Sequence, residues 1–496
     1  MSRSPSPSSS EPRRRSVVGL VLSVLFHVVL WAVVAAVPLF GVWLATSLAV
    51  YHDGPLWLAI VVGVLCFPVL PILWELWAAR RRRKRKDGRE RILNPGDRVL
   101  LRTFVLNLGF LVVMLLAFPR QGFAALSTRG DWMLGGSHSA VAESVRGALF
   151  DVAGGLEWLY DSASSNPYAK YADADADGEG GTTPAPAPGA SGVSGTAPGV
   201  PLGGTAHTWP MDGAVHPVVR DMPEEARASV ASVGKYIAER VTDPFERVKA
   251  LHDFVATWLA YDVPATREGA NMPSQEAADV FVARKAVCAG YARLMVALGK
   301  VTGDEIVYVV GHSRASGDDL DGVGHAWNAV EIGGAWYLMD ATWDAGFVNG
   351  SAFTRRFATD YLMTPPAIFG IDHLPDDPRW QLRERPLSRG EFLRQPALSP
   401  RFFALGMTLE APERSQVDTD GALAIELENP RGAWVMVSAR PKDGGEPTTC
   451  VQPVQAGGTL ECALPGDGVW QVDLFVNPEG RAGTYVSVGY LEANNG

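Results

Sequence analysis

The chain has 496 residues, a net charge of −10 and 47% apolar side chains. That length exceeds one ordinary core and implies two or more domains, and the acidic balance argues against nucleic acid as a partner. No phosphate-cradling glycine loop and no paired Cys-x-x-Cys metal site occurs in it, so neither a metal nor a cofactor is expected.

From Ser16 to His52 there is no Asp, Glu, Lys or Arg, enough for one membrane span with length to tilt. Leu56 to Trp77 is a second apolar run with Glu75 near its end, and Thr103 to Phe118 a third. Val99 to Arg102 extend the third if Arg102 reaches the interface. These runs predict an N-terminal three-helix transmembrane region over residues 1–125, with spans at about 17–45, 56–78 and 99–119, then a juxtamembrane segment over 126–161. The first span is too long for a cleaved signal peptide. Arg13 to Arg15 precede the first span, the run from Arg80 to Lys86 follows the second, and the loop Tyr51 to Pro55 has no Lys or Arg. The positive-inside bias therefore puts the N-terminus in the cytoplasm and everything after about Arg120 outside the cytoplasmic membrane. Inside the spans only His27 and Asn107 are notable polar groups, which argues against a transporter.

Residues 162–210 are rich in Ala, Gly, Pro, Ser and Thr and read as a disordered tether. Asp173 to Gly178 imitates the start of a calcium loop, but the twelfth position is Pro184 rather than Glu.

Residues 211–395 have a globular pattern. Pro223 to Arg240 reads as an amphipathic helix. Asp243 caps a second, with Pro244 in its first turn and a stripe through Phe245, Val248, Leu251, Val255 and Leu259. A third runs from Pro273 to Arg284, and a fourth starts near Cys288 and continues through Leu294 and Leu298. Strands follow at Ile306 to Gly311, His325 to Ile332 and Ala335 to Trp343. Helices first and an antiparallel sheet afterwards define an α+β domain. Residues 396–496 change to short β-type runs, such as Val469 to Val476, and predict a β-sandwich of immunoglobulin-like size.

The four cysteines differ in setting. Cys66 falls in the second span, and Cys450 and Cys462 lie near enough to pair outside the cytoplasm. Cys288 is left as a free thiol in an exported domain, which points to reactivity.

Cys288 opens an apolar helical pattern, where the dipole and free N–H groups stabilise a thiolate and an oxyanion. If Gly333 and Gly334 form a two-residue turn, facing residues place Asp340 opposite Trp327 and His325 diagonal to Asp340 on the same face. A thiolate nucleophile, an imidazole that moves the proton and a carboxylate that orients the ring make a thiol acyl-transfer site from Cys288, His325 and Asp340. Trp327 and Trp343 are expected to wall the cleft.

The motifs Lys285-Ala286-Val287-Cys288-Ala289-Gly290-Tyr291-Ala292, Gly324-His325-Ala326-Trp327-Asn328 and Trp336-Tyr337-Leu338-Met339-Asp340-Ala341-Thr342-Trp343 together resemble the transglutaminase-like superfamily. Tyr361 to Pro365, His373 to Pro375 and Trp380 to Leu382 are similar to the branch that includes kyphoscoliosis peptidase. The resemblance covers roughly residues 235–390. It implies a papain-like core with Cys288 as nucleophile, His325 as base and acid, and Asp340 as its partner, with Gln275 the candidate to complete the oxyanion hole. Cys-Ala-Gly-Tyr differs from the Cys-Trp of animal crosslinking enzymes, and no acidic clusters match their calcium sites, which argues against calcium-dependent crosslinking. The expectation is a membrane-anchored cysteine acyltransferase or peptidase acting on an envelope protein or peptide. The alternative is a non-catalytic peptide-binding module of the cell envelope on the same fold.

Overall fold

The computed structural model describes residues 17–85 except 53 and 55, 94–172 except 136 and 138, 186–315 except 188, 194–197, 204 and 268–270, and 322–496 except 456. It divides into two compact units, Met1–Trp132 and Met133–Gly496.

In the first unit, two of the described helices are long and apolar enough to cross a membrane, Ala32–Tyr51 and Pro95–Ala117. The segment expected to form another span is helical but divided. A π-helical turn at Leu65–Val69 separates Leu56–Val64 from Leu70–Arg85. Pro68 and Pro71 bring no N–H to the ladder there, so the helix widens over one turn before it runs on. Asn94 begins Pro95–Ala117 with a capping box to Asp97. Buried Asn107 donates to the Thr103 carbonyl at 2.9 Å and presses on Gly41, where any Cβ would collide with it. Glu75 pairs with both Arg98 and Arg102, so Arg102 is held by a carboxylate in addition to its length.

The second unit opens with the helices Ala140–Gly154 and Glu157–Ala163. Glu157 accepts the Arg389 backbone N–H at 2.8 Å, and Asp161 accepts from its guanidinium at 3.2 Å. Of the tether expected at 162–210, residues 173–185, with the Asp173 to Gly178 run, lie outside the described residues. The flanking parts are packed against the domain, contrary to expectation. Val200–Pro201 pairs with Thr208–Trp209, Ser191 bridges Trp336, and Leu202 and Trp209 are fully buried. Apolar side chains hidden among Gly, Pro and Ser give these stretches enough burial to dock, and Gly192 admits the Tyr337 ring where a Cβ would collide with it.

The central domain is a five-stranded antiparallel sheet in the order Leu362–Thr364, Ala335–Met339, Val323–Ile332, Glu305–Ser313, His373–Pro375. Helices Val230–Ala238, Pro244–Trp258, Ala277–Ala283 and Cys288–Thr302 precede these strands, as the α+β reading predicts. The stripe Phe245, Val248, Leu251, Val255 joins Leu294 and Leu298 in a core shared with Ile306, Val330 and Met339. Trp327, Ala329, Trp336 and Leu338 alternate to a second cluster. The hairpin has the predicted register: Ile332 pairs with Ala335 and Asn328 with Met339 around Gly333 and Gly334, whose φ values of 64° and 85° only glycine adopts readily. The helix expected over Pro223 to Arg240 is instead a 3-10 turn, Glu224–Arg227, followed by Val230–Ala238. Ser229 caps the second piece, since its hydroxyl competes with a continuous ladder.

The C-terminal region is β-rich. One sheet runs Ala397–Leu398, Val486–Asn495, Gly468–Asn477, Trp434–Pro441, Thr448–Val454, and another Thr408–Ala411, Ala422–Glu428, Gly458–Ala463. Leu423, Ile425 and Leu427 alternate inward to meet Val435, Val437, Val472 and Leu474. A disulfide joins Cys450 to Cys462 and ties one sheet to the other.

Candidate active site

Cys288 is the first residue of helix Cys288–Thr302, preceded by Val287 in an extended conformation that offers no side-chain cap. The Cys288 and Ala289 N–H groups therefore precede the helical ladder at the positive end of the dipole, beside the sulfur. Gln275 braces this start from behind. Its Oε1 accepts the Val287 N–H at 3.1 Å, while its amide donates to the Pro273 carbonyl at 3.0 Å and lies 3.8 Å from the Met272 sulfur. With its amide engaged inside its own loop, Gln275 supports the turn into the helix and does not complete an oxyanion hole as expected. A Cβ at Gly290 would fall 2.7 Å from that Oε1 and 2.6 Å from the Ala286 Cβ, so the glycine of the Cys-Ala-Gly-Tyr motif makes room for the brace.

His325 sits near the start of strand Val323–Ile332, and Asp340 follows the end of Ala335–Met339. His325 Nε2 lies 2.7 Å from Asp340 Oδ2, which leaves Nδ1 to face the Cys288 thiol that contacts the ring. Asp340 Oδ1 accepts from the Thr342 and Trp343 N–H groups at 2.7 and 3.3 Å and caps the short helix Ala341–Asp344, so the carboxylate cannot swing away. The structure thus brings Cys288, His325 and Asp340 together.

A second imidazole completes the arrangement. His373 Nε2 lies 3.2 Å from Asp340 Oδ2, and its Nδ1 lies 2.7 Å from Asp372 Oδ1. Asp372 Oδ2 in turn accepts the Tyr361 hydroxyl at 2.6 Å. With both ring nitrogens on carboxylates, His373 is held as the cation. Burial alone would lower its pKa, but the Asp372 charge and the two hydrogen bonds raise it to about 9. His325 follows the same logic: burial opposes the charge, yet Asp340 and the Cys288 sulfur raise it to about 9. Burial would push Asp340 up, but His325 and His373 hold it well below the usual carboxylate range.

Trp327 is 1% exposed, stacked behind His325 at 5.9 Å and edge-on to His373 at 5.1 Å. It is core beneath the imidazoles rather than the cleft wall expected, because strand alternation sends it into the second cluster. Trp343 is half-buried, 5.7 Å from His325 and 4.6 Å from His373, and keeps a place at the site. One ligand atom each from His325, Asp340 and His373 lie within 4.8 Å of one another, a donor set that a divalent cation accepts, although hydrogen bonds already engage these side chains.

Residues 231–341 match the family model of the transglutaminase-like superfamily. The central domain is transglutaminase-like. Kyphoscoliosis peptidase of Mus musculus is 30% identical over 316 residues, which cover 59% of this chain and 46% of the mouse protein. The Homo sapiens kyphoscoliosis peptidase is 28% identical over 315 residues, with the same coverage of 59% and 46%. Hillarin of Drosophila melanogaster is 27% identical over 121 residues, 21% of this chain and 15% of that protein. The chain spans about half the length of the kyphoscoliosis peptidases it matches.

In this transglutaminase-like domain the sequence pattern missed His373, Asp372 and Tyr361 as members of the site. His373 is 33 residues from Asp340 and reaches it through a three-residue edge strand, too short to leave a periodic signal. The arrangement can carry a thiolate–imidazolium pair: the sulfur supplies the nucleophile, Nδ1–H the proton for a leaving group, and the two carboxylates the charge that keeps both rings protonated.

Proposed function

We propose that this protein is a membrane-anchored thiol enzyme that cleaves or transfers acyl groups from amide bonds of an envelope protein or peptide. The observation that carries the reading is the unbroken run of contacts from Cys288 through His325 to Asp340 at a helix N-terminus. The Cys288 thiolate attacks the amide carbonyl, and the Cys288 and Ala289 N–H groups hold the resulting oxyanion. His325 Nδ1–H protonates the departing nitrogen, leaving a thioester. The neutral ring then takes a proton from water or an amine, whose oxygen or nitrogen displaces the sulfur as thiolate. Asp340 keeps the ring in register, and His373 keeps Asp340 ionised and fixed.

The matched curated relatives named as peptidases favour hydrolysis over transfer. Membrane anchoring rests on the two long apolar helices together with the charge pattern of the sequence, in which a third span, a cytoplasmic N-terminus and an extracytoplasmic catalytic domain belong to this proposal. The Cys450–Cys462 disulfide is consistent with an oxidising compartment.

Incubating the full chain with a peptide library and mapping acyl adducts by mass tests the proposal. An adduct on the Cys288 peptide is expected, absent in Cys288→Ala and formed on the order of a hundred-fold more slowly in His325→Ala. A second reading, a non-catalytic envelope module that binds peptides, draws on the burial of the site, since Cys288 is only 1% exposed. It prevails if no adduct forms and peptides bind the wild type and both variants equally well.

A further inference from the structure

The thiol of Cys288 is covered by a segment of the same chain. Residues 164–172 leave helix Glu157–Ala163 and lie across the two elements that carry Cys288 and His325. Asn166 Nδ2 donates to the Gly311 carbonyl at 2.5 Å, and Gly311 is the cross-strand partner of His325. Asn166 Oδ1 accepts the Tyr168 N–H at 3.0 Å. The Tyr168 ring is buried in one cluster with Cys288, Val287, Ala289 and Ala326, which sets its hydroxyl beside the Cys288 sulfur.

Two residues of the neighbouring helix and strand grip the backbone of this segment rather than its side chains. Tyr308 OH donates to the Tyr168 carbonyl at 3.2 Å, and Arg293, on the helix that Cys288 begins, donates to the Tyr171 carbonyl at 2.8 Å. Gly324, the neighbour of His325, makes the approach possible: a Cβ there would meet Pro167 Cδ at 2.9 Å and Asn166 Oδ1 at 3.0 Å. Donors aimed at main-chain carbonyls, with one side chain lowered onto the nucleophile, are what a peptide substrate needs. A phenol has no acyl carbon, so the side chain now in that place blocks the thiol without reacting.

We propose that residues 164–172 occupy the acyl-substrate groove as an intramolecular plug, and that the groove's own ligand is a peptide held by its carbonyls at Tyr308 and Arg293 with one side chain over Cys288. The substrate half of this inference rests on the enzymatic reading above; the plug does not. Withdrawal of the segment uncovers the sulfur, and return of Tyr168 covers it.

The test is the rate at which iodoacetamide alkylates Cys288 in the full chain in detergent micelles, read by peptide mass because Cys66 is also a free thiol. Tyr168→Ala should label at least about ten-fold faster than wild type, and Asn166→Ala, which removes anchors from a half-buried position and leaves the core filled, should also label faster. Rates within about two-fold of wild type in both variants would overturn the plug, since a segment that truly covers the sulfur must retard it. Faster labelling with a matching rise in adduct formation from peptides supports both halves. Faster labelling with no adduct from any peptide keeps the plug and removes the substrate reading. Adduct formation by wild type at the variants' rate keeps the enzyme and removes the plug.

Discussion

At Asp340 a single carboxylate oxygen serves two imidazoles, His325 at 2.7 Å and His373 at 3.2 Å. A carboxylate shared in this way stays ionised despite burial, and each ring gains from it. His373 acts on the reaction only through Asp340, which makes it a positioning residue with a distinct signature. In His373→Ala the His325 pKa should rise above about 9, because a neighbouring imidazolium 5.4 Å away is lost and the shared Asp340 oxygen is left to His325 alone. The alkaline limb of the pH profile for acyl transfer should move up with it, while kcat is lower by about ten-fold, because Asp340 is less firmly positioned, and KM is unchanged. His373→Gln, which can still donate to Asp340, should restore part of the rate. An unmoved pH profile would reduce His373 to a packing role.

At the scale of the element, Val287, which leads into helix Cys288–Thr302, depends on a residue 12 positions earlier. Gln275 is 1% exposed and supplies the acceptor for the buried Val287 N–H. Gln275→Leu keeps similar bulk but leaves that donor unpaired, at a cost of about 1–3 kcal/mol. The denaturant midpoint should fall accordingly without a change in slope. A shift under about 0.5 kcal/mol would mean that the N–H has found another acceptor. The hairpin shows the opposite case of an element that settles itself. Two adjacent glycines adopt positive φ, and the pleat then fixes His325 and Asp340 on one face.

For the whole molecule, buried imidazoles set how stability changes with pH. His252, His325 and His373 all have a pKa raised to about 9, from an ordinary 6.5, because buried carboxylates outweigh the cost of burial. A raised folded value means the protonated form is favoured by folding. The contribution is therefore complete below pH 6.5 and is lost as pH rises through about 9. Thermal unfolding followed by circular dichroism should show the midpoint falling between pH 6.5 and 9.5, with a smaller fall in His252→Phe and His373→Phe. A flat or rising midpoint across that window would contradict the charge assignment. His252 matters beyond the count, since it lies 3.1 Å from both Asp253 and Asp344 and ties the helix after Asp340 to helix Pro244–Trp258.

Local patterns carried a large part of this protein's organisation. The apolar stripe of helix Pro244–Trp258, the hairpin register, the meeting of His325 with Asp340 and the position of Cys288 at a helix start all follow from short-range periodicity and turn chemistry. Nothing local foretold that Gln275 would donate its amide to the Pro273 carbonyl, that Trp327 would lie beneath His325, or that two prolines would interrupt the α-helical ladder after Leu56. His373 and Tyr168 needed the tertiary structure altogether, since each meets the site across a long stretch of chain and from an element too short to have a period. Periodicity reports which face of an element is buried; only packing decides what that face is buried against.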